Sequence, residues 1–263
     1  MWAKDRHHRI VSLLAVNDRI STDRLIDELK VSRETIRRDI VSLEAAGQLR
    51  RVHGGVECAS QVEHVINQPL KARTEAKRCI ALAAVRLIKP GMMIAIDTGT
   101  TTLAFASALA SVPNVSVITN SIGVAQMLVA TNHDAKVVLL GGRIAKVVLP
   151  GGRIGGDLTA TFGPLTIEEM SRFSPDMAVF SPVAFSASHG ATSFHQAVAE
   201  FGRTMIQRSS RVVMLADHAK LGATSRVLLC DCSQIDVLVT DRRASKEKLD
   251  ELKAAGVKDI LIG

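Results

Sequence analysis

The chain has 263 residues, of which 47% are hydrophobic and 22% charged, and its formal net charge is +7. This length suits two domains, or one large domain with an appendage, and the composition supports a full core and is ordinary for a soluble protein. No apolar run reaches the roughly 20 residues that a membrane-spanning helix needs, and "MWAKDRHHRI" has no apolar signal core behind it, so we expect a cytoplasmic protein with no membrane partner.

The four cysteines, at positions 58, 79, 230 and 232, match neither a disulfide framework nor a zinc-binding spacing. The Cys-x-Cys at 230–232 has no second pair elsewhere in the chain. We therefore expect reduced thiols, and we predict neither a metal nor a cofactor.

The first sixty residues predict three short helices followed by a hairpin. Ile10, Leu13 and Leu14 share one helical face, and "NDRI" breaks that first helix. Ser21 is placed to cap the second helix, "STDRLIDELK", and Ser32 to cap the third, "SRETIRRDIVSLEAA". Two short helices joined by the tight turn "KV" predict a helix-turn-helix.

The third helix divides into an apolar and a basic side. Ile36, Ile40 and Leu43 form a stripe that must face a core, whereas the first two turns carry side chains suited to DNA phosphates and base edges. "QLRRVHGGV" then predicts a β-wing along the DNA backbone. A solvated helix face is the alternative, but cap, turn and basic wing in register favour DNA binding. The candidate DNA-binding residues are Ser32, Arg33, Thr35, Arg37, Arg38, Arg50, Arg51 and His53.

The segment "VSRETIRRDIVSLEAAGQLRRVHGG" resembles the DNA-binding signature of the DeoR family of bacterial transcriptional regulators. It matches the family pattern V-S-x-x-T-I-R-R-D-[LI]-x-x-L-x-x-x-G-x-L-x-R-x-H-G-G at each fixed position. The resemblance implies a winged helix-turn-helix DNA-binding domain over residues 3–58. We take residues 59–72 as a linker, because they carry little apolar periodicity.

From residue 73 to 263, apolar runs alternate with helical patterns. Several runs are continuous, as expected for strands covered on both faces. This alternation predicts an α/β domain with a mostly parallel sheet. The predicted strands cover 92–96, 115–119, 137–140, 177–180, 212–215, 237–240 and 260–262, and candidate helices lie at the start of this domain and near 101–110, 121–130, 195–208 and 245–255.

Ligands in such sheets sit beyond the carboxyl ends of the strands. "IAIDTGTTTLAF" ends a strand in an aspartate, a glycine and threonines, and free backbone N–H groups at a helix start suit a phosphate. A plain turn with a threonine cap is the alternative. "ITNS", in which Ser121 is a candidate cap, and "LADHAKLG" end two later strands. The candidate effector-binding residues are Asp97, Thr98, Gly99, Thr100, Thr101, Thr102, Thr119, Asn120, Asp217 and Lys220.

The same stretches extend the family resemblance into the second domain. "DTGTTT", "TNS" and "DHAK" are similar to the DeoR family's D-x-G-[ST]-T, T-N-[ST] and D-x-S-K steps. This implies an effector-sensing and oligomerisation domain that resembles the ribose-5-phosphate isomerase and coenzyme A transferase group of folds and binds phosphorylated sugars or related metabolites. The family's "G-x-D-G-I"-like stretch is replaced by "FSPVAFSASHGATSF", which has no carboxylate, although Gly190 and Thr192 keep the later G-x-T.

A short duplication interrupts the second domain. "KVVLLGGRIA" at 136–145 is followed by "KVVLPGGRIG" at 146–155, and eight of the ten positions are identical. The segment is too short for a solenoid repeat. It predicts either a β-hairpin or one looped-out copy, and both alternatives stay open.

Together these features predict a sequence-specific DNA-binding regulator. We expect a homo-oligomer, a dimer or a tetramer, that represses carbohydrate metabolism genes and leaves its operator DNA when a phosphorylated sugar or related effector binds. Activation is physically allowed as well. The alternative is a sugar-phosphate isomerase-like enzyme with an appended DNA-binding domain, for which Glu200 and Asp217 are possible bases. Because the expected carboxylate is missing, we predict no catalytic residues.

Overall fold

The computed structural model describes residues 3–17, 19–45, 49–52, 54–58, 73–131, 135–140, 153–154 and 160–263. The chain divides into two compact units, Met1–Thr74 and Glu75–Gly263. The predicted linker over 59–72 and the wing residue His53 lie outside the described residues. The predicted domain limits stay predictions.

The first unit contains three helices and a small antiparallel sheet. The predicted helices and hairpin are confirmed, but the sequence did not reveal the strand between the first two helices, which pairs Ile20 with Val56. The strand order is β1-β3-β2. The elements are α1 (Ala3–Asn17), β1 (Arg19–Ser21), α2 (Thr22–Leu29), α3 (Arg33–Ala45), β2 (Leu49–Val52) and β3 (Gly55–Cys58).

Both predicted helix caps are present. The Ser21 hydroxyl accepts a hydrogen bond from the Arg24 amide at 3.2 Å, and the Ser32 hydroxyl accepts one from the Thr35 amide at 3.3 Å. Between them, Lys30 adopts the left-handed conformation, with φ of 52°, and ends α2. These local signals fix where α2 stops and α3 begins, and therefore which turns of α3 are exposed.

A buried ion pair joins α1 to α3. The Asp39 carboxylate, 4% exposed, accepts hydrogen bonds from Arg6 Nε at 2.5 Å and from His7 Nε2 at 2.9 Å. Burial acts to raise the pKa of Asp39, but the hydrogen bonds and charge of Arg6 and His7 hold it below its usual value. Asp39 therefore serves the packing of the DNA-binding unit.

The second unit is built on a seven-stranded parallel sheet in the order β15-β14-β12-β9-β4-β5-β6. All seven predicted strands are present, and their ends agree with the prediction to within one residue. The strands of this unit are β4 (Met93–Ile96), β5 (Ser116–Thr119), β6 (Lys136–Leu139), β7 (Arg153–Ile154), β8 (Thr161–Phe162), β9 (Met177–Phe180), β10 (Ala184–Ser186), β11 (Gly190–Ser193), β12 (Arg211–Leu215), β13 (Val227–Cys230), β14 (Val237–Thr240) and β15 (Asp259–Ile262).

Helices cover both faces of this sheet, which explains the continuous apolar strands. Ile94 and Ile96 of β4 join one buried cluster with residues of α4 to α6, and Ala95 joins another with residues of α7 and α8. Leu252 of α9 packs in a third cluster with Leu238 of β14. The helices are α4 (Thr74–Val85), α5 (Thr100–Ala108), α6 (Ile122–Thr131), α7 (Pro164–Ser171), α8 (Gln196–Arg208) and α9 (Lys246–Ala254). No helix in the described part of the chain is long and apolar enough to cross a membrane.

The strand order reverses in the middle of the sheet. The chain enters at β4, moves outward to β5 and β6, and then returns to the other side of β4 at β9 before continuing through β12 and β14 to β15. The loops that leave β4 and β9 therefore diverge. A crevice at such a switch point is the usual ligand site of an open parallel sheet.

A second, antiparallel sheet of β10, β11 and β13 was not predicted, nor was α7. The sequences "AFS" and "GATS" carry no alternation that could reveal strands. Gly190 begins β11 with φ of 64°, and a Cβ there would lie 2.3 Å from the Cys230 carbonyl oxygen. The Thr192 hydroxyl donates to the Ala184 carbonyl at 3.2 Å and accepts from the Ser225 amide at 2.8 Å. In this structure the G-x-T pattern holds the small sheet together.

The two copies of the duplication enter different elements. The first supplies β6, which pairs in parallel with β5 at the sheet edge. The second supplies β7, which pairs with β8 in antiparallel fashion. Residues 141–152, which include most of the second copy, lie outside the described residues.

Replacing Asp39 with Asn should destabilise the first unit by about 3 kcal/mol. Loss of the buried carboxylate would leave the charge of Arg6 uncompensated. Asp27→Asn, which neutralises an exposed carboxylate on α2, should change stability little. Urea unfolding followed by the fluorescence of the single tryptophan, Trp2, which directly precedes α1, measures both. Equal midpoints for the two variants would contradict the structural role of Asp39.

Candidate DNA-binding and effector sites

The first two turns of α3 present the predicted recognition residues to solvent. Ser32, Arg33, Arg37 and Arg38 are exposed, and Thr35 is half-buried. The hydroxyls of Ser32 and Thr35 lie 2.9 Å apart, so these two side chains also close the helix start. The arginines are therefore the side chains with the greatest reach toward DNA.

The wing carries two exposed arginines on β2. Arg50 lies directly opposite Glu57 of β3, and its Nε donates to Glu57 Oε1 at 2.9 Å. Arg51 reaches back to Glu44 of α3, with Nε–Oε2 at 2.5 Å and its amide donating to Oε1 at 3.0 Å. Because consecutive strand residues point to opposite faces, the two guanidinium groups lie on different sides of the wing.

The arginines of α3 differ in their partners. Arg33 forms an ion pair with Asp23 of α2, and Arg38 Nε lies 3.4 Å from Glu34 Oε1. Within the described residues no carboxylate pairs with Arg37. Exposed pairs of this kind contribute about 0–1 kcal/mol, so each arginine can exchange its carboxylate for a phosphate or a base edge at little cost.

The effector candidates meet at the switch point of the sheet. Asp97 follows β4 and Ser181 follows β9, and the Ser181 amide donates to Asp97 Oδ2 at 3.3 Å. Lys220 Nζ donates to Ser181 Oγ and to the Pro182 carbonyl, both at 2.7 Å. Ser181 Oγ in turn donates to the Leu215 carbonyl at 2.7 Å. Ser181 thus links Asp97 to Lys220, a role that sequence analysis did not assign.

The Asp97 carboxyl group is almost fully buried. Burial raises the pKa of Asp97 to about 8, although the Ser181 amide, the charge of Lys220 and the Thr102 hydroxyl act in the opposite direction. Its Oδ1 atom makes no hydrogen bond within the described residues. At neutral pH the group is mostly protonated, and a neutral carboxyl can donate a hydrogen bond to a ligand.

The start of α5 is open to an anion. Gly99 precedes the helix without a side chain to cap it, and the first intrahelical bond of this turn runs from the Leu103 amide to the Gly99 carbonyl at 2.9 Å. The amides of the first turn therefore point out of the helix. The Thr101 hydroxyl is buried without a partner in the described structure, whereas the Thr102 hydroxyl donates to the Gly99 carbonyl at 3.0 Å. Thr98 is buried and Thr100 half-buried.

The neighbouring strand end supplies Thr119 and Asn120. The register that pairs Ile96 with Thr119 places Asn120 beside Asp97. Asn120 Nδ2 donates to the Thr161 carbonyl at 2.9 Å, and its buried Oδ1 has no partner within the described residues. The Thr119 hydroxyl accepts from the Ser121 amide at 3.0 Å. The Oδ1 atom of Asn120 is therefore more available to a ligand than the hydroxyl of Thr119.

Two aspartates position Lys220. Asp217 caps the short 3-10 helix of residues 218–220, where its Oδ1 accepts from the Ala219 amide at 3.2 Å. Asp241, which sequence analysis missed, accepts from the His218 amide at 2.7 Å. Burial acts to raise the pKa of Asp241, but the His218 hydrogen bonds keep it below its usual value. Direct contact between Asp217 and an effector stays a prediction.

The Cys-x-Cys pair is part of the core. Cys230 and Cys232 are both buried, and burial raises the pKa of the Cys230 thiol to about 12. Such a thiol is inert at neutral pH. Across the described ranges, no group of three or more His, Cys, Asp or Glu side chains could hold a metal ion.

Comparison with known families supports both units. The DeoR-like helix-turn-helix domain matches residues 6–62, and the DeoR C-terminal sensor domain matches residues 72–146 and 144–242. The chain belongs to the DeoR family. As a DeoR protein it is a DNA-binding transcriptional regulator with a sensor domain. The sensor match is split at residues 144–146, inside the duplication, so each copy falls in a separate part of the match.

Curated relatives align with this chain over more than nine-tenths of its length. The transcriptional repressor GlcR of Bacillus subtilis is 34% identical over 98% of this chain and 96% of its own length. The regulator GlpR of Haloferax volcanii is 30% identical over 98% of this chain and 97% of its own. The glycerol-3-phosphate regulon repressor of Escherichia coli is 30% identical over 92% of each chain.

Among solved structures, ribose 5-phosphate isomerase A from Methanocaldococcus jannaschii aligns with a TM-score of 0.40 and 16% identity, over 57% of this chain and 55% of that one. An alignment of this quality carries no argument about activity.

Replacing Asp97 with Asn should flatten the pH dependence of stability. The folded pKa of Asp97 is raised to about 8, so the stability that it contributes is fully present below its unfolded pKa of about 4 and is lost as pH rises toward 8. Denaturant unfolding between those pH values should show that the wild type loses stability relative to Asp97→Asn by up to about 1.4 kcal/mol per pH unit.

Asp250→Asn is the control for this experiment, because Asp250 is an exposed carboxylate on α9. It should follow the wild-type profile. Parallel profiles for the wild type and Asp97→Asn would show that Asp97 is not held protonated.

Proposed function

We propose that this DeoR-family regulator represses carbohydrate metabolism genes and leaves its operator when a phosphorylated sugar or related metabolite binds at the switch point of the sensor sheet. The observation that carries the proposal is the joint presence of a DeoR-type DNA-binding unit and a strand-end site built for a polar anion. The relatives named above are repressors or regulators, which supports repression over activation.

DNA binding uses the exposed turns of α3 in the major groove and the wing beside it. Arg37 is the first candidate for a base contact, because no carboxylate of the described structure competes for it. The other four arginines contribute phosphate or base contacts after exchanging their ion-pair partners. A homo-oligomer, a dimer or a tetramer, would place two or more copies of α3 on repeated half-sites about one helical turn apart. A role on DNA implies a cytoplasmic location.

Effector binding uses the atoms that the fold leaves available at the switch point. The amides of the first turn of α5 suit a phosphate, and Lys220 lies at the same edge of the sheet. The protonated Asp97 carboxyl and the buried oxygen of Asn120 suit hydroxyl groups, because one donates and the other accepts. This combination fits a ligand with both a phosphate and hydroxyl groups.

A coupling of about 1–3 kcal/mol between the effector site and the DNA-binding units would be enough for control. The ligand would bind more tightly to the arrangement that fits the operator poorly, and binding of operator DNA would oppose ligand binding by the same factor.

The enzyme alternative is disfavoured by the chemistry of the site. An aldose–ketose isomerase needs an ionised general base near the sugar carbon, but Asp97 is mostly protonated at neutral pH. Asp217 is engaged as a cap. Glu200 lies in α8, where Gln196 donates to its carboxylate at 2.6 Å. We therefore propose that the site senses its ligand and does not turn it over; product analysis with any ligand found below tests this directly.

Replacing Arg37 and Arg38 with Ala should weaken operator binding at least tenfold, because lost contacts of this kind cost about 1–3 kcal/mol each. Fluorescence anisotropy on the DNA upstream of the protein's own gene, mapped by footprinting, measures the change. Arg242→Ala removes an exposed arginine of the sensor unit and should bind as the wild type does. Unchanged binding by the double variant would reject α3 as the recognition helix.

A panel of phosphorylated sugars and polyols, with glycerol 3-phosphate and inorganic phosphate included, should contain compounds that raise the melting temperature. At about 100 times Kd the expected rise is roughly 5–10 °C. Gly99→Val should abolish the shift, because even a Cβ at this position lies 3.2 Å from Thr102 Oγ1 and a larger side chain covers the amides of α5.

Gly123→Ala is the control, since a methyl group there makes only ordinary contacts. It should keep the shift. A ligand that stabilises Gly99→Val as strongly as the wild type binds elsewhere.

A further inference from the structure

The DNA-facing arginines are balanced by carboxylates of the same unit. Four of the five exposed arginines predicted to contact DNA form ion pairs, while Arg37 forms none within the described residues. The pairs are Arg33 with Asp23, Arg38 with Glu34 at 3.4 Å, Arg50 with Glu57 at 2.9 Å and Arg51 with Glu44 at 2.5 Å.

Three of these carboxylates lie on a different element from the arginine that they pair with, whereas Glu34 pairs with Arg38 one turn further along α3. Asp23 lies in the first turn of α2, Glu34 in the first turn of α3, Glu44 near the end of α3, and Glu57 in β3. The hydrogen bond from the Arg51 amide, followed by its side chain, holds the pKa of Glu44 below its usual range. The three pairs that join different elements are therefore a property of the folded unit.

The consequence concerns affinity for DNA of any sequence. Five arginines and four carboxylates leave a surplus of one positive charge among these side chains. Non-specific binding draws its free energy from counterions released as cationic side chains neutralise phosphates. When an arginine that is already paired with a carboxylate approaches DNA, fewer counterions are released from the phosphates. The paired carboxylate also comes close to the phosphates, and the like charges repel.

A specific contact is affected less. A guanine edge offers two acceptors in the geometry that a guanidinium group matches with two hydrogen bonds. Exposed ion pairs are weak, so an arginine placed at such an edge can leave its carboxylate. The carboxylates therefore lower the affinity mainly for DNA sites where the arginines can contact only phosphates.

We propose that Asp23, Glu34, Glu44 and Glu57 are specificity-determining residues, which lower the affinity for non-operator DNA by balancing the arginines of α3 and the wing. This inference rests on the DNA-binding function proposed above. It assigns to these acids a role in discrimination between DNA sequences, beyond any role in stabilising the unit.

The test uses Glu44→Gln, Glu57→Gln and the double variant in the full chain, because glutamine keeps the size and a hydrogen-bond acceptor but removes the charge. Binding is measured by anisotropy from about 50 to about 200 mM salt. The two probes are the operator mapped by footprinting and a random-sequence duplex of equal length. Glu251→Gln, an exposed acid on α9, makes the same change in net charge in the sensor unit.

Glu44→Gln and Glu57→Gln should each tighten binding to the random duplex about 3–10-fold and steepen the dependence of log K on log salt by about one. Binding to the operator should tighten less, so that the ratio of the two affinities falls. Glu251→Gln should change neither the slope nor the ratio. Asp23→Asn and Glu34→Gln repeat the test at the first turns of α2 and α3 if Glu44→Gln or Glu57→Gln lowers the melting temperature.

Two results would overturn the inference. If Glu44→Gln, Glu57→Gln and Glu251→Gln all have the same salt slope, the carboxylates do not screen the arginines. If the affinities for the operator and for the random duplex rise by the same factor, the carboxylates do not determine specificity. If the wild type binds the operator no more tightly than the random duplex, the proposed function itself is rejected.

Discussion

The hydrogen bond from the Ser181 amide to Asp97 Oδ2 closes the sensor sheet at the point where its strand order reverses. It joins the ends of β4 and β9, whose loops otherwise diverge. Lys220, bound to Ser181 Oγ, brings the end of β12 to the same place. Because Asp97 is buried there, its carboxyl is kept mostly neutral at physiological pH. The position of the helix start, the lysine and the neutral acid all depend on this junction.

The DNA-binding unit buries an acid whose pKa is lowered, in contrast to the raised pKa of Asp97 in the sensor unit. Asp39, the one buried acid among the described residues of this unit, accepts hydrogen bonds from Arg6 and His7 and so ties α1 to α3. The exposed arginines of α3 take no part in that contact. On the outer face of α3 the charges are exposed, weakly paired and exchangeable. Buried pairing on one side and exchangeable pairing on the other allow the same helix to serve packing and the proposed recognition of DNA.

Sequence reasoning succeeded where the signal is local or periodic. The seven core strands were found because both faces of the sheet are covered, which produces continuous apolar runs. It failed for β1, β10, β11, β13 and α7, which are short and depend on pairing or packing with distant residues. Ser181 and Asp241 were missed for a related reason: an isolated serine or aspartate carries no pattern, and only its distant partners give it a role.

By itself, the sequence determined the family, the two helices of the helix-turn-helix with one serine cap each, and the strand ends that carry the predicted ligand-binding residues, because capping, hydrophobic periodicity and a long fixed motif are written in contiguous residues. Only the tertiary structure decided which strand ends are neighbours, that Asp97 is buried with a raised pKa, and that carboxylates from several elements pair with the arginines predicted to bind DNA. These properties depend on burial and on distances between residues far apart in the chain, and neither is encoded by spacing along the sequence.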